Sequence, residues 1–258
     1  MCLNFDRKND MIQTNGSIEA LVRQVTVDCK DNGKHFTVED RLRVIQSLLT
    51  GSDYRLIHRG ELCLLYAKQE VQEQEVILVS SHVDCVYGSL FFEEYSEELL
   101  RGTFDNSLTN GCLLHVMLAD RLPDHVVVAF TGDEEHDSAG AYEVVDTLRK
   151  KACYVLQAWV LDVTNEGWTE ACPFTLENDL GIDILMGYRI VTTLAPYLYK
   201  FVHEAEPDES WDYDEEGIPT CSLCIPVAGD LHADAGVLVR RSSLPIYCDV
   251  LSRLAWQD

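Results

Sequence analysis

Acidic and imidazole side chains recur in this chain directly after short runs of apolar residues. His82 and Asp84 follow the run VILVSS, Glu134 and Glu135 follow VVVAFTG, and Asp162 lies near the end of AWVLDV. Carboxylates that crowd together repel one another unless a cation lies among them. The adjacent pair Glu134–Glu135 therefore either faces a cation or lies on the surface at a helix start, where the helix dipole stabilises acids.

Three further polar residues lie at the ends of predicted strands or helices. Asp230 and His232 come after the apolar run CSLCIPV, and Asp105 precedes a helical stretch. One such residue means little, because Asp caps many helices and a lone His is more often structural. Six carboxylates and two imidazoles gathered from separate segments of the sequence are harder to explain without a ligand. Imidazole and carboxylate without thiolate suit Zn²⁺, with Mn²⁺ or Co²⁺ as alternatives.

Strand-like and helix-like segments alternate along the chain. Buried strands are predicted at 76–81, 126–132, 158–163 and 221–227. Helices are predicted at 110–122, 139–151 and 192–205. This alternation predicts an α/β fold, a three-layer α/β/α sandwich with a mixed, mostly parallel central sheet. In such sheets ligands bind beyond the carboxyl ends of the strands, where the polar groups fall here.

Three local patterns complete the outline of the fold. Thr37 is a helix N-cap with acidic residues in the first turn, and it predicts a helix that Gly51 stops. Residues 54–68 predict a hairpin that turns at Arg59–Gly60. The acidic, turn-rich residues 206–217 predict a surface loop.

The charge balance excludes some classes of partner. The 258 residues carry 44 acidic and 20 basic side chains, a formal net charge of −24. Nucleic-acid binders carry a basic patch, and none is visible, so neither nucleic acid nor an anionic membrane is an expected partner. The acidic excess favours solubility and the attraction of cationic ligands.

Cysteine usage and the amino terminus indicate a cytoplasmic protein. The ten cysteines lack regular spacing, and the single CxxC, Cys221 to Cys224, lies in a predicted strand with no second pair to complete a zinc site. The first residues are polar, unlike a signal peptide, and no apolar run approaches the ~20 residues of a membrane span. We expect reduced, mostly buried thiols.

The order of the polar motifs resembles that of the co-catalytic di-zinc exopeptidases, which include aminopeptidases, aminoacylases and glutamate carboxypeptidases. The shared features are His-x-Asp in SSHVDC, Asp-Asn in GTFDN, the Glu pair in TGDEE, a strand-end Asp and a late His. The resemblance covers about residues 76–250. It implies two divalent metal ions, zinc above all, and hydrolysis of an amide bond in a peptide or an N-acyl amino acid.

The resemblance also implies a ligand set. His82 and Asp162 would bind the first metal ion, Glu135 and His232 the second, and Asp105 would bridge both. The context of His232 differs from that expected of the family, so His203, on a predicted helix, is the reserve ligand.

Two further roles, and one backbone feature, follow from the same resemblance. Glu134 would be the general base, and Asp84 would orient the ring of His82 by a hydrogen bond. The peptide bond between Asp105 and Asn106 would be cis, as it often is in family members.

The segment between Asp84 and Asn106 is too short for the inserted lid or dimerisation domain of many relatives. We therefore expect one catalytic metallopeptidase-like domain over residues 1–258, with aminopeptidase activity favoured. An aminoacylase or carboxypeptidase of the same superfamily is the first alternative, and a non-catalytic descendant acting as a binding module is the second. A cysteine hydrolase using Cys85 or Cys112 is the third. The oligomeric state is left open.

Overall fold

The structure, a computed structural model, describes residues 17–29, 36–203 and 205–254. The strands in this part of the chain are β1 (Arg55–Arg59), β2 (Cys63–Ala67), β3 (Glu75–His82), β4 (Phe92–Glu93), β5 (Leu99–Gly102), β6 (Val126–Thr131), β7 (Tyr154–Thr164), β8 (Thr175–Leu180), β9 (Lys200–Val202), β10 (Thr220–Ala228) and β11 (Val237–Arg240). The helices are α1 (Ile18–Arg23, followed by the π-helical turn Gln24–Asp28), α2 (Val38–Leu48), α3 (Ser107–Leu118), α4 (Ala139–Lys150), α5 (Ile184–Leu194), α6 (Glu209–Glu215) and α7 (Ser243–Leu254). None of these helices has the length and apolar character required to cross a bilayer.

All eleven strands belong to one mixed sheet in the order β1-β2-β6-β3-β7-β10-β11-β5-β4, with β8 and β9 attached beside β10. The four central strands β6, β3, β7 and β10 are parallel to one another. The pairs outside them, apart from β8 with β9, are antiparallel. The predicted mixed sheet is thus confirmed, with its parallel character confined mainly to the centre. The carboxyl ends of the central strands meet at one edge.

Side chains of the central strands alternate between two cores. On β3, Val76 and Leu78 pack in the cluster that contains Val144 of α4, while Ile77 and Val79 pack in the cluster that contains Leu113 of α3. Successive side chains of a strand point to opposite faces, so helices cover both faces of the sheet. This arrangement confirms the predicted three layers.

The local patterns near the amino terminus are also confirmed. Thr37 caps α2 through a capping box, in which its side chain and that of Asp40 each accept a hydrogen bond from the other's backbone amide. Gly51 adopts a φ of 82° just after the helix, a conformation that glycine reaches without strain. Strands β1 and β2 form the predicted antiparallel hairpin.

The helix predicted at 192–205 is wrong. Helix α5 ends at Leu194, and Lys200–Val202 instead forms β9, which pairs with β8. Pro196 explains the error, since proline has no amide donor and its ring clashes inside a helix. The start of α5 carries a signal that the prediction overlooked, because Asp183 accepts a hydrogen bond from the amide of Met186 at 2.8 Å.

The surface loop predicted at 206–217 is also wrong in its central part. Residues Glu209–Glu215 form helix α6, capped by Asp208. Glu209 and Tyr213, one helical turn apart, are buried at 1% and 0% exposure. The spacing of these two side chains is that of one helix face. The many acidic residues of the segment made this helical pattern hard to recognise in the sequence.

Candidate metal centre

A cavity of about 460 Å³ opens at the carboxyl edge of the central strands. The predicted metal ligands and the predicted base all line it: His82, Asp105, Glu134, Glu135, Asp162 and His232. Asp84 lies just behind the wall and is 7% exposed. Topology places these groups together because parallel strands end at the same edge of a sheet.

Each side chain is positioned by the end of an element. His82 is the last residue of β3, Asp162 lies near the end of β7, and Asp105 lies just before α3. Glu134 and Glu135 follow β6 in a tight loop, in which the amides of residues 136–138 donate to the carbonyl of Asp133 at 2.7–3.3 Å. This closed loop directs the two glutamates from one short segment into the cavity.

Two groups of three potential ligands share one residue. Nε2 of His82 lies 3.2 Å from Oδ1 of Asp105 and 3.5 Å from Oδ1 of Asp162. Nε2 of His232 lies 3.7 Å from Oδ2 of Asp105 and 3.7 Å from Oε2 of Glu135. In each group the ligand atoms lie within 4.8 Å of one another. Asp105 therefore presents one oxygen to each group, as a carboxylate that bridges two cations would.

The electrostatics of the cavity fit divalent cations. Burial, together with neighbouring carboxylates, raises the pKa of Glu134 to about 9, that of Glu135 to about 7 and that of Asp162 to about 6. Oδ1 of Asp105 and Oε1 of Glu135 are buried and accept no hydrogen bond from the described residues. Cations remove such repulsion and satisfy such oxygens. The donor set, two imidazoles and several carboxylates, is one that zinc accepts.

The peptide bond between Asp105 and Asn106 is cis, as predicted. The side chain of Asn106 donates to the carbonyl of Leu161 at 2.6 Å, and that of Asn110 donates to the carbonyl of His82 at 2.7 Å. These two amides tie the start of α3 to β7 and β3. They fix the distance between Asp105 and the strands that carry His82 and Asp162.

Asp84 holds the position expected of a residue that orients His82. Its Oδ1 lies 3.4 Å from Nδ1 of His82, and its Oδ2 accepts the amide of Glu135 at 3.1 Å. Burial alone would raise the pKa of Asp84, but the His82 ring and the Glu135 amide outweigh burial and lower it. Asp84 thus stays charged while it contacts residues of both ligand groups.

We expect Asp84→Asn to weaken metal binding without abolishing it. Partners that orient a metal-binding imidazole are worth about 10–100-fold in metal affinity. Titration of the metal-depleted variant with zinc, read by competition with a chelating dye, measures this loss. An unchanged affinity would show that Asp84 has no part in holding His82.

The two candidate histidines of the carboxyl-terminal half differ in placement. The side chain of His232 is 62% exposed, but its amide donates to Asp230 at 3.2 Å, and its ring lies in the second ligand group. His203 does not line the cavity and instead contacts Asp179 at 2.5 Å, with 75% of its side chain exposed. The structure thus brings His232, and not the reserve candidate His203, to the site.

Several acids near the cavity escaped the sequence analysis. Glu177 on β8 lines the wall at 5% exposure, and burial raises its pKa to about 7. Glu209 is buried beneath the site, accepts the hydroxyl of Ser80 at 2.9 Å, and contributes to the raised pKa of Glu134. For Glu177 the sequence offered an acid beside the apolar residues of β8, and for Glu209 it offered the helical spacing with Tyr213.

The thiols proposed for a cysteine hydrolase lack the required environment. Burial raises the pKa of Cys85 and, more strongly, that of Cys112. A nucleophilic cysteine needs a lowered pKa and access to substrate. The structure therefore gives no support to a thiol mechanism.

Comparisons with solved structures show which known proteins have a similar fold. No family model and no curated protein matches the chain. The TET1 peptidase of Pyrococcus horikoshii aligns over 94% of this chain and 100% of its own, with a TM-score of 0.69 and 12% identity. An aminopeptidase of Desulfurococcus kamchatkensis aligns over 95% and 96%, with a TM-score of 0.73 and 10% identity. A zinc aminopeptidase of Bacillus subtilis aligns over 75% of this chain and 48% of its own, with a TM-score of 0.54 and 14% identity. The chain therefore has the same fold as these peptidases.

Proposed function

We propose that this protein is a di-metal amide hydrolase, an aminopeptidase that removes amino-terminal residues from peptides, with residues 1–258 as one catalytic domain. The observation that carries the proposal is the position of Asp105. It belongs to both ligand groups in the cavity at the carboxyl ends of the central strands. The peptidase relatives named above support the reaction class, and zinc is the ion that the donor set favours.

The chain's own residues supply the other requirements of the reaction. His82, Asp162, Glu135 and His232 would hold two divalent cations with Asp105 between them, and such a pair lowers the pKa of a water and polarises a carbonyl. Glu134 lies beside this set, with Oε2 3.9 Å from Nε2 of His82. Its carboxylate would accept a proton from the attacking water and return it to the leaving amine. Burial and neighbouring carboxylates raise the pKa of Glu134, and bound cations would lower it toward the range that a general base needs.

The charge of the cavity favours an aminopeptidase over an aminoacylase. Beyond the ligand groups and Glu134, the wall carries Glu166, Glu177, Glu206 and Asp208, and none of the described residues lining it is Lys or Arg. Of these four acids only Glu166 has an ion-pair partner among the described residues, Lys200 at 2.5 Å, and Lys200 also contacts Glu170 at 3.2 Å. An unblocked substrate ammonium is attracted to such a surface, whereas the free carboxylate of an N-acyl amino acid is repelled.

A substrate panel with the zinc-loaded chain tests the proposed function. Aminoacyl anilides and unblocked dipeptides should be cleaved, N-acetylated versions of them should not, and a chelator should abolish activity until zinc is restored. Cleavage of N-acyl amino acids alone would instead assign the aminoacylase class. Activity that survives complete metal removal would refute the di-metal proposal, and a loaded protein inactive on every substrate would favour a binding module.

We further expect this site to prefer basic amino-terminal residues. Lysyl anilide should exceed the uncharged norleucyl anilide in kcat/KM by about 10-fold or more, because a charge pair in a desolvated wall is worth at least ~1.4 kcal/mol. Glu177→Gln should reduce this ratio, whereas Asp179→Asn, on the same strand but outside the cavity lining, should not. Equal reduction by both variants would attribute the preference to overall charge.

The described thiols fit the cytoplasmic location that we propose. Nine cysteines lie in this part of the chain, and all are free. Disulfides form and persist in oxidising compartments, so free thiols in such number are typical of the reducing cytoplasm.

A further inference from the structure

A separate group of ligand-type side chains lies where the β1–β2 hairpin meets α4. His58 projects from β1, Cys63 from β2 and Glu143 from α4. One ligand atom from each lies within 4.8 Å of the others. None of the three residues lines the cavity at the strand ends, so this group is distinct from the candidate metal centre.

The contacts within the group concentrate on the carboxylate. Nε2 of His58 lies 3.2 Å from Oε1 of Glu143, and the amide of Leu62 donates to Oε2 at 3.2 Å. A Cβ at Gly60 would lie 2.0 Å from Oε1, so a larger residue at that position would displace the carboxylate of Glu143. The hairpin is thus built closely around this carboxylate.

Glu143 has no lysine or arginine as an ion-pair partner in the part of the chain that the structure describes. Among the described residues its ion-pair partner is His58, with both side chains 30% exposed, and the nearby Arg59 pairs with Glu39. Cys63 is fully buried at 0% exposure. A thiol, an imidazole and a carboxylate therefore meet at a point that has solvent on one side and core on the other.

We propose that His58, Cys63 and Glu143 form a further metal site, which takes a zinc-like cation with water as its fourth ligand. Thiolate, imidazole and carboxylate together are a tetrahedral donor set that suits zinc. The partly exposed His58 and Glu143 provide the entry path and the space for the water. When the cation binds, the thiol of Cys63 loses its proton to solvent and becomes the thiolate ligand.

Such an ion would join three elements beneath the loop that carries Glu134. The carbonyl of Leu62 accepts the amide of Gly132 at 2.7 Å, and Gly132 precedes that loop directly. Cross-linking β1, β2 and α4 would therefore fix the hairpin against which the end of β6 is held. The role of the site is structural, and its test does not depend on the proposed peptidase activity.

Sulfur ligation separates this site from the candidate metal centre, whose ligand groups contain no thiolate. The full-length protein is depleted of metal and loaded with Co²⁺, and in parallel with Zn²⁺. We expect a sulfur-to-cobalt charge-transfer band, and a Zn–S distance of about 2.3 Å by X-ray absorption. Cys63→Ser should lose both signals and about one equivalent of bound metal per chain.

Two cysteine variants serve as matched controls. Cys224→Ser alters a thiol that lines the cavity, and Cys153→Ser alters a half-buried thiol elsewhere; both should retain the sulfur signals. His58→Ala and Glu143→Gln change partly exposed positions, so they test the site even if Cys63→Ser fails to fold. Each should weaken metal binding at the sulfur site by at least about 10–100-fold, because that loss already follows when a residue that only hydrogen-bonds to a metal ligand is removed.

The outcomes that overturn the proposal are equally specific. Wild-type protein loaded with an excess of Co²⁺ or Zn²⁺ that shows no sulfur ligation would refute it. If Cys224→Ser lost the sulfur signals and Cys63→Ser retained them, the thiolate ligand would be Cys224 in the cavity. Unchanged affinity in both His58→Ala and Glu143→Gln would leave a lone cysteine binding metal adventitiously, and this too would overturn the proposed site.

Discussion

Glu134→Gln should collapse turnover while leaving the metal content nearly unchanged. General-base assistance is worth about 10²–10⁴-fold, so kcat on a cleaved aminoacyl anilide should fall by at least that range. The amide keeps the shape of the side chain but cannot accept the proton of the attacking water. Metal content per chain and kcat, measured on the same preparation, give the result.

The neighbouring acids provide the controls for this variant. Glu135→Gln, with a side chain only 7% exposed beside His232, should lose metal as well as activity, because an amide is a poorer ligand than a carboxylate. Asp137→Asn, exposed in the same loop, should change neither. Since Glu134 also lies within 4.8 Å of His82 and Glu135 as a potential ligand group, equal metal loss in Glu134→Gln and Glu135→Gln would assign Glu134 as a ligand.

Asp105→Asn should remove both ions and reduce activity at least as far as Glu134→Gln does. Asp105 is the residue common to the His82–Asp162 group and the Glu135–His232 group, so its charge is needed at both positions. Without the ions the remaining buried carboxylates repel one another. Mass spectrometry of bound metal, together with kcat/KM for the anilide, measures both effects.

Asp208→Asn is the matched control for the bridging position. Asp208 lines the same cavity but belongs to neither ligand group. Asn is as good an N-cap as Asp, so α6 should remain intact and both ions should stay bound. If Asp105→Asn retained one ion at full occupancy, Asp105 would serve a single ion rather than bridge two.

Local sequence determined much of the framework around the site. The apolar runs that became β3, β6, β7 and β10 were identifiable because buried parallel strands need continuous apolar residues. Thr37 determined the start of α2 through its own hydrogen bond, and the Arg59–Gly60 turn determined the hairpin. The predictions from sequence were wrong in two segments. At 192–205 the apolar content favoured a helix, although Pro196 ends it. At 206–217 the acidic composition favoured a loop, although Glu209 and Tyr213 have helical spacing.

The sequence by itself also determined the order of the chemical groups, from His82 through Asp105 and the Glu pair to His232. The tertiary structure alone decided that these groups meet at contact distance, because four parallel strands from distant segments end at one edge. It alone placed Glu177 and Glu209 beside them, since burial of an acid depends on which strands and helices pack around it. It alone brought Glu143 to the hairpin that holds His58 and Cys63, because β2 pairs with β6, and α4, which follows β6, packs against β2.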